Sequence, residues 1–167
     1  MEAQMNVILT GQRQIGKSTA LGRFLADFSG SVAGFRTVFD SRSDPENRRL
    51  LLCPLPGGEP ETAVTWTGGA PQVGLTVFDR SIPPLLARKA DLFVLDELGK
   101  FEIEAAEMQR AVEALFDSAA DVLAVVRYDA PGWMGALKQR PDVTVLTVTE
   151  ENRDCIPAVL AKLLLRV

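Results

Sequence analysis

The stretch Gly11-Gln12-Arg13-Gln14-Ile15-Gly16-Lys17-Ser18 constrains this chain more than any other. It fits the pattern G-x-x-x-x-G-K-[ST], a loop that wraps a polyphosphate in inward-pointing backbone N–H groups. Glycines at both ends permit dihedrals and a close approach that a Cβ blocks. Such a loop works only between a buried strand and a helix, and the flanks predict both. Residues 5–10 read as a short strand, with Val7, Ile8 and Leu9 running into the loop. Leu21, Phe24, Leu25 and Phe28 recur at helical spacing after it. The helix start adds its partial positive charge to the site. On this reading Gly11, Gln12, Arg13, Gln14, Ile15, Gly16, Lys17, Ser18 and Thr19 cradle the phosphates, Arg13 and Gln14 mainly through their backbone. Lys17 supplies a mobile cation for the terminal phosphates, and the Ser18 hydroxyl ligates Mg²⁺.

A second motif completes the first. Leu92-Phe93-Val94-Leu95-Asp96-Glu97 places a carboxylate at the C-terminal end of an apolar strand. In open parallel sheets that edge is where ligands bind. Asp96 is then positioned to hold Mg²⁺, directly or through a water. Glu97, beside it and near the γ-phosphate, is the candidate general base for an attacking water. The chain has no histidine, so Ser-His and Cys-His nucleophiles and histidine zinc sites are excluded. Acid–base chemistry falls to carboxylates, Lys, Tyr128 or water. Cys53 and Cys155 are isolated and read as two buried or idle thiols in a reducing cytosol. No N-K-x-D element near the late strands supports a Ras-like reader of guanine.

The rest of the chain predicts an α/β fold. Strands are expected over 31–39, 49–53, 62–66, 91–96, 122–126 and 143–148, with loops at 54–60 and 68–71. The second and third strands form a hairpin, part of a loop-rich insertion over about 34–70. Helices are expected from a Ser81 N-cap through Leu86 with Pro83 and Pro84 in the first turn, then over 103–116, 131–139 and 156–165. Strands alternating with helices imply a mostly parallel central sheet covered on both faces, in one domain over 1–167. With 47% apolar and 24% charged residues, 167 residues suffice for one sizeable core. The net charge is −4 and no basic run exceeds Arg48-Arg49, which argues against nucleic acid as a partner. The opening Met1-Glu2-Ala3-Gln4 lacks a signal-peptide pattern and no long apolar run follows, so a cytoplasmic location without membrane contact is expected.

Several segments, taken together, resemble the THEP1-type nucleoside-triphosphatases. Asp96-Glu97-Leu98-Gly99-Lys100-Phe101-Glu102 is similar to that family's D-E-I-G-K-M-E-L. Gly34-Phe35-Arg36-Thr37 is similar to its G-F-Y-T. Asp142-Val143, continuing through Val148-Thr149-Glu150-Glu151-Asn152-Arg153, is similar to its D-V-x-V-x-x-V-T-x-E-N-R. With the phosphate loop these span nearly the whole chain in the expected order. The resemblance implies a three-layer, RecA-like P-loop fold. It also implies Mg²⁺-dependent hydrolysis of ATP, GTP or other nucleoside triphosphates with broad base tolerance, and it carries Lys17, Ser18, Asp96 and Glu97 into their matching roles. The chain departs from the family at Val38, where an acid is usual, at Arg48–Leu52, where a glycine-containing R-x-G-F turn is usual, and at Arg127-Tyr128, where small polar residues are common.

Other residues have two readings each. Arg127, at the end of a core strand, is a sensor of γ-phosphate charge or a surface ion pair. Asn152 and Arg153 contact the base or ribose, with Arg153 stacking on the base, or they cap the last helix. Lys100 is an auxiliary cation or a surface charge. Trp66 and Trp133 cover a pocket or pack in the core. Two alternatives to hydrolysis share the scaffold: a small-molecule or nucleotide kinase, and a slow nucleotide-gated binding module.

Overall fold

The computed structural model describes residues 4–41, 43–99 and 104–165. Its chain order is β1 (Asn6–Thr10), α1 (Lys17–Asp27), β2 (Val32–Phe39), β3 (Arg49–Leu55), β4 (Glu61–Thr67), β5 (Ala70–Val73), α2 (Leu75–Leu86), β6 (Leu92–Leu98), α3 (Ala106–Asp117), β7 (Val122–Val126), α4 (Trp133–Lys138), β8 (Val143–Thr147) and α5 (Ile156–Leu164). The strands form one sheet in the order β5-β4-β3-β2-β6-β7-β1-β8. From β2 to β8 all neighbours are parallel. From β2 to β5 all are antiparallel.

The parallel half follows from near-continuous apolar strands. β1 and β7 are buried along their whole length, as strands covered on both faces must be. Side-chain alternation sorts them into two cores. Ile8, Phe93, Leu95, Ala124 and Val126 face α2, α3 and α4, meeting Phe78, Ile82, Met108, Phe116 and Leu137. Val7, Leu9, Val94, Leu123 and Val125 face α1 and α5, meeting Leu21, Phe24, Ile156 and Leu160. Each fully buried large side chain contributes about 1.5–3 kcal/mol. The result is three layers, helix–sheet–helix, as expected.

Three expectations need correction, all around the antiparallel wing. The loop expected at 68–71 is a two-residue hairpin turn. Gly68 (φ 57°) and Gly69 (φ 80°) close it, and β5 follows, with Pro71 paired to Trp66. Two glycines with positive φ match the twist of a tight hairpin, and an edge strand tolerates proline. The loop expected at 54–60 starts later, because Pro54 and Leu55 complete β3 against β2. β4 pairs with β3 only as far as Leu52, so no neighbour on that side requires an N–H from Pro54. Finally, α2 begins at Leu75, not Ser81, and Pro83 and Pro84 lie near its C-terminal end. Ser81 is no cap; its Oγ donates to Glu61 Oε1 (2.6 Å), tying the helix to β4. Phe78 and Ile82, both fully buried, bring the earlier turns into the helix despite the prolines. In α3 the expected start at Ile103 lies outside the described residues. Among the described residues no helix is long and apolar enough to cross a membrane.

Candidate active site

β1 ends at Thr10 on the C-terminal edge of the parallel strands, and the chain turns at once through Gly11 (φ 150°), Gln14 (φ 60°) and Gly16 (φ 116°) into α1. A Cβ at Gly11 would stand 2.7 Å from the Val148 carbonyl oxygen, so no other residue fits there. Gly16 is the N-cap of α1 and offers no side-chain cap, and no acid lies in the first turn. The first N–H groups of α1 and their dipole therefore stay available to an anion. Gln12, Arg13, Gln14 and Thr19 are exposed, while Ile15 packs on the α1/α5 core and anchors the loop. Lys17 is only 8% exposed. Its Nζ donates to the carbonyls of Gly11 (2.6 Å) and Gln12 (3.4 Å). Burial lowers the Lys17 pKa; the charges of Glu97 and Asp96 work against that.

β6 delivers the acids to the same edge. Asp96 is 2% exposed. Its Oδ1 accepts from Ser18 Oγ (3.3 Å) and its Oδ2 from Arg36 Nε (3.1 Å). Burial raises the Asp96 pKa, while the charge and hydrogen bond of Arg36, then Ser18 and Lys17, pull it down. Glu97 sits in an irregularity of the ladder: Asp96 pairs with Val125 and Leu98 with Val126, so one extra residue bulges out. The slip is visible in the packing, where Leu98 joins the same core as Phe93 and Leu95. Burial raises the Glu97 pKa; the cations Lys17, Arg127 and Arg13 lower it and neighbouring Asp96 raises it further. A carboxyl displaced upward and flanked by cations is the usual electrostatic setting of a proton acceptor.

Arg127 leaves β7 with its N–H on the Leu98 carbonyl (3.3 Å) and pairs with exposed Asp129 (3.2 Å). Its charge nonetheless acts on both Lys17 and Glu97. Lys138 Nζ fixes this turn by donating to the carbonyls of Arg127 (3.3 Å) and Tyr128 (2.9 Å). In the turn after β8, Asn152 uses its carboxamide internally, accepting from the Thr149 N–H (2.7 Å) and donating to the Thr147 carbonyl (2.9 Å). That bracing holds Arg153 over Gly16, with Nη1 3.5 Å from the Ile15 carbonyl. Lys100 lies outside the described residues. Trp66 and Trp133 pack against the α2/α3 core, and Trp66 meets Phe39 edge-on at 5.6 Å. Of the two thiols, Cys53 is half-buried and Cys155 is exposed, and both are free.

Two residues at the site were not singled out from the sequence. Arg36, besides holding Asp96, donates from Nη2 to the Ser18 carbonyl (3.2 Å). Thr37 Oγ1 donates to the Asp96 carbonyl (3.3 Å) and accepts from the Glu97 N–H (3.3 Å). Both belong to the family-like segment 34–37. The signal that finds them is strand order, since β2 lies beside β6 with Arg36 opposite Asp96. Gly34 (φ 119°) lets β2 approach that closely, because a Cβ there would overlap the Val94 carbonyl.

The chain is similar to known proteins along nearly its whole length. A family model described as NTPase matches residues 6–161. The nucleoside-triphosphatase THEP1 of Natranaerobius thermophilus is 32% identical, over 95% of this chain and 96% of the relative. That of Thermofilum pendens is 30% identical, over 96% and 95%. The crystal structure of THEP1 from Aquifex aeolicus superposes with a TM-score of 0.81 at 22% identity, covering 97% of this chain and 100% of that one, and shows the same fold.

Proposed function

This chain belongs to the NTPase family whose model spans residues 6–161, and from that premise we propose that it hydrolyses nucleoside triphosphates to diphosphate and phosphate with Mg²⁺. The observation that carries the reading is the convergence of the loop and the β6 acids, with Ser18 Oγ and Asp96 Oδ1 3.3 Å apart and Lys17 and Glu97 within each other's electrostatic reach. A hydroxyl and a carboxylate are hard oxygen donors that suit Mg²⁺. No cluster of three or more His, Cys, Asp or Glu able to hold a metal occurs among the described residues, so phosphate and water oxygens would complete the shell. Ser18 and Asp96 would hold the ion, which supplies neutralisation of charge developing on the phosphates.

The chain's own groups do the rest. The backbone of Gly11, Gln12, Arg13, Gln14, Ile15, Gly16 and Lys17, with Ser18 and Thr19 in the first turn, donates N–H groups to the β- and γ-phosphates. Lys17 Nζ exchanges its contacts with the loop carbonyls for phosphate oxygens. Glu97 takes a proton from the attacking water as its oxygen bonds to the γ-phosphorus and the bond to the β–γ bridging oxygen breaks. Arg127 senses the γ-phosphate charge, Arg153 stacks on the base, and Asn152 serves the nucleotide by bracing that turn. The partner is the free nucleotide in the cytoplasm, a reading that the net charge of −4 supports over nucleic acid. The test is phosphate release across the nucleoside triphosphates with and without Mg²⁺. The expected result is metal-dependent release from several of them; label moving to an acceptor instead of free phosphate would mean a kinase.

A further inference from the structure

Arg36 occupies a position from which it touches both residues read above as metal ligands, Asp96 through its carboxylate and Ser18 through its backbone carbonyl. It lies opposite Asp96 in the β2–β6 register. Its Nε donates to Asp96 Oδ2 (3.1 Å), while Nη2 donates to the Ser18 carbonyl (3.2 Å). One planar, permanently charged fork thus joins the carboxylate at the end of β6 to the first turn of α1. The Arg36 side chain is 28% exposed and that of Asp96 3%, so solvent screens the pair only in part. Where the THEP1-type pattern has an uncharged tyrosine, this chain has a fixed cation against the metal-side acid. Lys17, Arg36 and Arg127 face Asp96 and Glu97, with exposed Asp129 beyond Arg127. A free divalent ion entering this site meets a carboxylate already engaged by a guanidinium. A divalent ion arriving on a triphosphate brings its own negative charge.

We infer that Arg36 is a positioning residue that holds Asp96 and Ser18 together for the metal–nucleotide complex and disfavours the free divalent ion. The inference rests on the reading of Ser18 and Asp96 as the metal ligands. The experiment is Mn²⁺ binding to nucleotide-free protein, followed by electron paramagnetic resonance, in wild type, Arg36→Gln, Arg36→Lys and Asp96→Asn. Arg36→Gln is expected to bind Mn²⁺ roughly tenfold more tightly than wild type. Arg36→Lys keeps the charge and matches wild type, and Asp96→Asn loses the binding that Arg36→Gln gained when the two are combined. In phosphate release, Arg36→Gln lowers kcat while leaving KM for the nucleotide nearly unchanged, since the loop is intact; Arg36→Lys restores part of kcat. Equal Mn²⁺ binding in wild type and Arg36→Gln, including none in either, overturns the inference, as does weaker binding in Arg36→Gln. If the gain in Arg36→Gln survives Asp96→Asn, the ligand assignment of Asp96 is what fails. Should Arg36→Gln not melt cooperatively, Arg36→Met carries the same expectation.

Discussion

The two halves of the sheet are built by different rules. From β8 to β2 the strands are parallel, and the largely apolar β1, β6 and β7 lie between two helix layers. From β3 to β5 the sheet is antiparallel, and β5 is exposed along its whole length. Every residue assigned to the chemistry stands on the parallel half or its loops, and β2, the strand shared by both, contributes Arg36 and Thr37. Burial on both faces fixes strand ends to a fraction of an ångström, and a site needs that. The wing has one covered face, with Phe39, Trp66 and Arg48 forming a small cluster in which the Arg48 guanidinium lies 3.6 Å from the Phe39 ring centre. It extends the sheet beyond β2 without adding to the proposed site.

The comparison can be broken at several levels of effect. The largest is at the catalytic edge. Glu97→Gln keeps nucleotide binding and loses about 10²–10⁴-fold in phosphate release; undiminished release with normal binding removes Glu97 as the base. Next is the scaffold. Leu95→Ala, at a fully buried position in the parallel half, lowers unfolding free energy by about 2–5 kcal/mol in denaturant titration. Val73→Thr on the wing edge changes it by no more than about 0.5 kcal/mol, because Val73 is exposed. Similar losses at both positions would erase the distinction between the halves.

The smallest effect sharpens the link between the wing and α2. The Ser81 hydrogen bond, aided by Arg80, holds the Glu61 pKa below its ordinary 4.5. A depressed carboxylate stabilises the fold fully above the unfolded-state pKa, and the contribution is lost as pH falls through the lower folded value. Ser81→Ala should therefore lower Tm slightly at neutral pH, and the gap to wild type should close below about pH 4. A gap that stays constant with pH would mean that the hydroxyl acts through packing alone.

What was legible in the sequence follows the same division. The parallel strands announce themselves because burial on both faces demands unbroken apolar runs, and β1 and β7 lie within a residue of their expected limits. The loop and the two acids were legible as motifs because each pattern has fixed residue types at a fixed spacing, and the structure brings them to one sheet edge. β5 was not, since Ala70-Pro71-Gln72-Val73 has no apolar pattern, although Gly68-Gly69 is a two-residue hairpin signal. The start of α2 was hidden because Ser81-Ile82-Pro83-Pro84 imitates a helix N-terminus. The contact of Arg36 with Asp96 was hidden for a deeper reason. The two lie 60 residues apart, and only the strand order makes them neighbours.

The bulge at Glu97 has a genetic consequence. Because the core-facing parity of β6 slips by one at this residue, Leu98 already stands where an uninterrupted strand would put its next inward side chain. Glu97 is the extra residue of that irregularity, tied to β2 by its N–H on Thr37 Oγ1. Loss of that single codon would leave Asp96 followed directly by Leu98, with each still facing its present side. A single in-frame deletion would thus remove the proposed proton acceptor while keeping the side-chain register of β6.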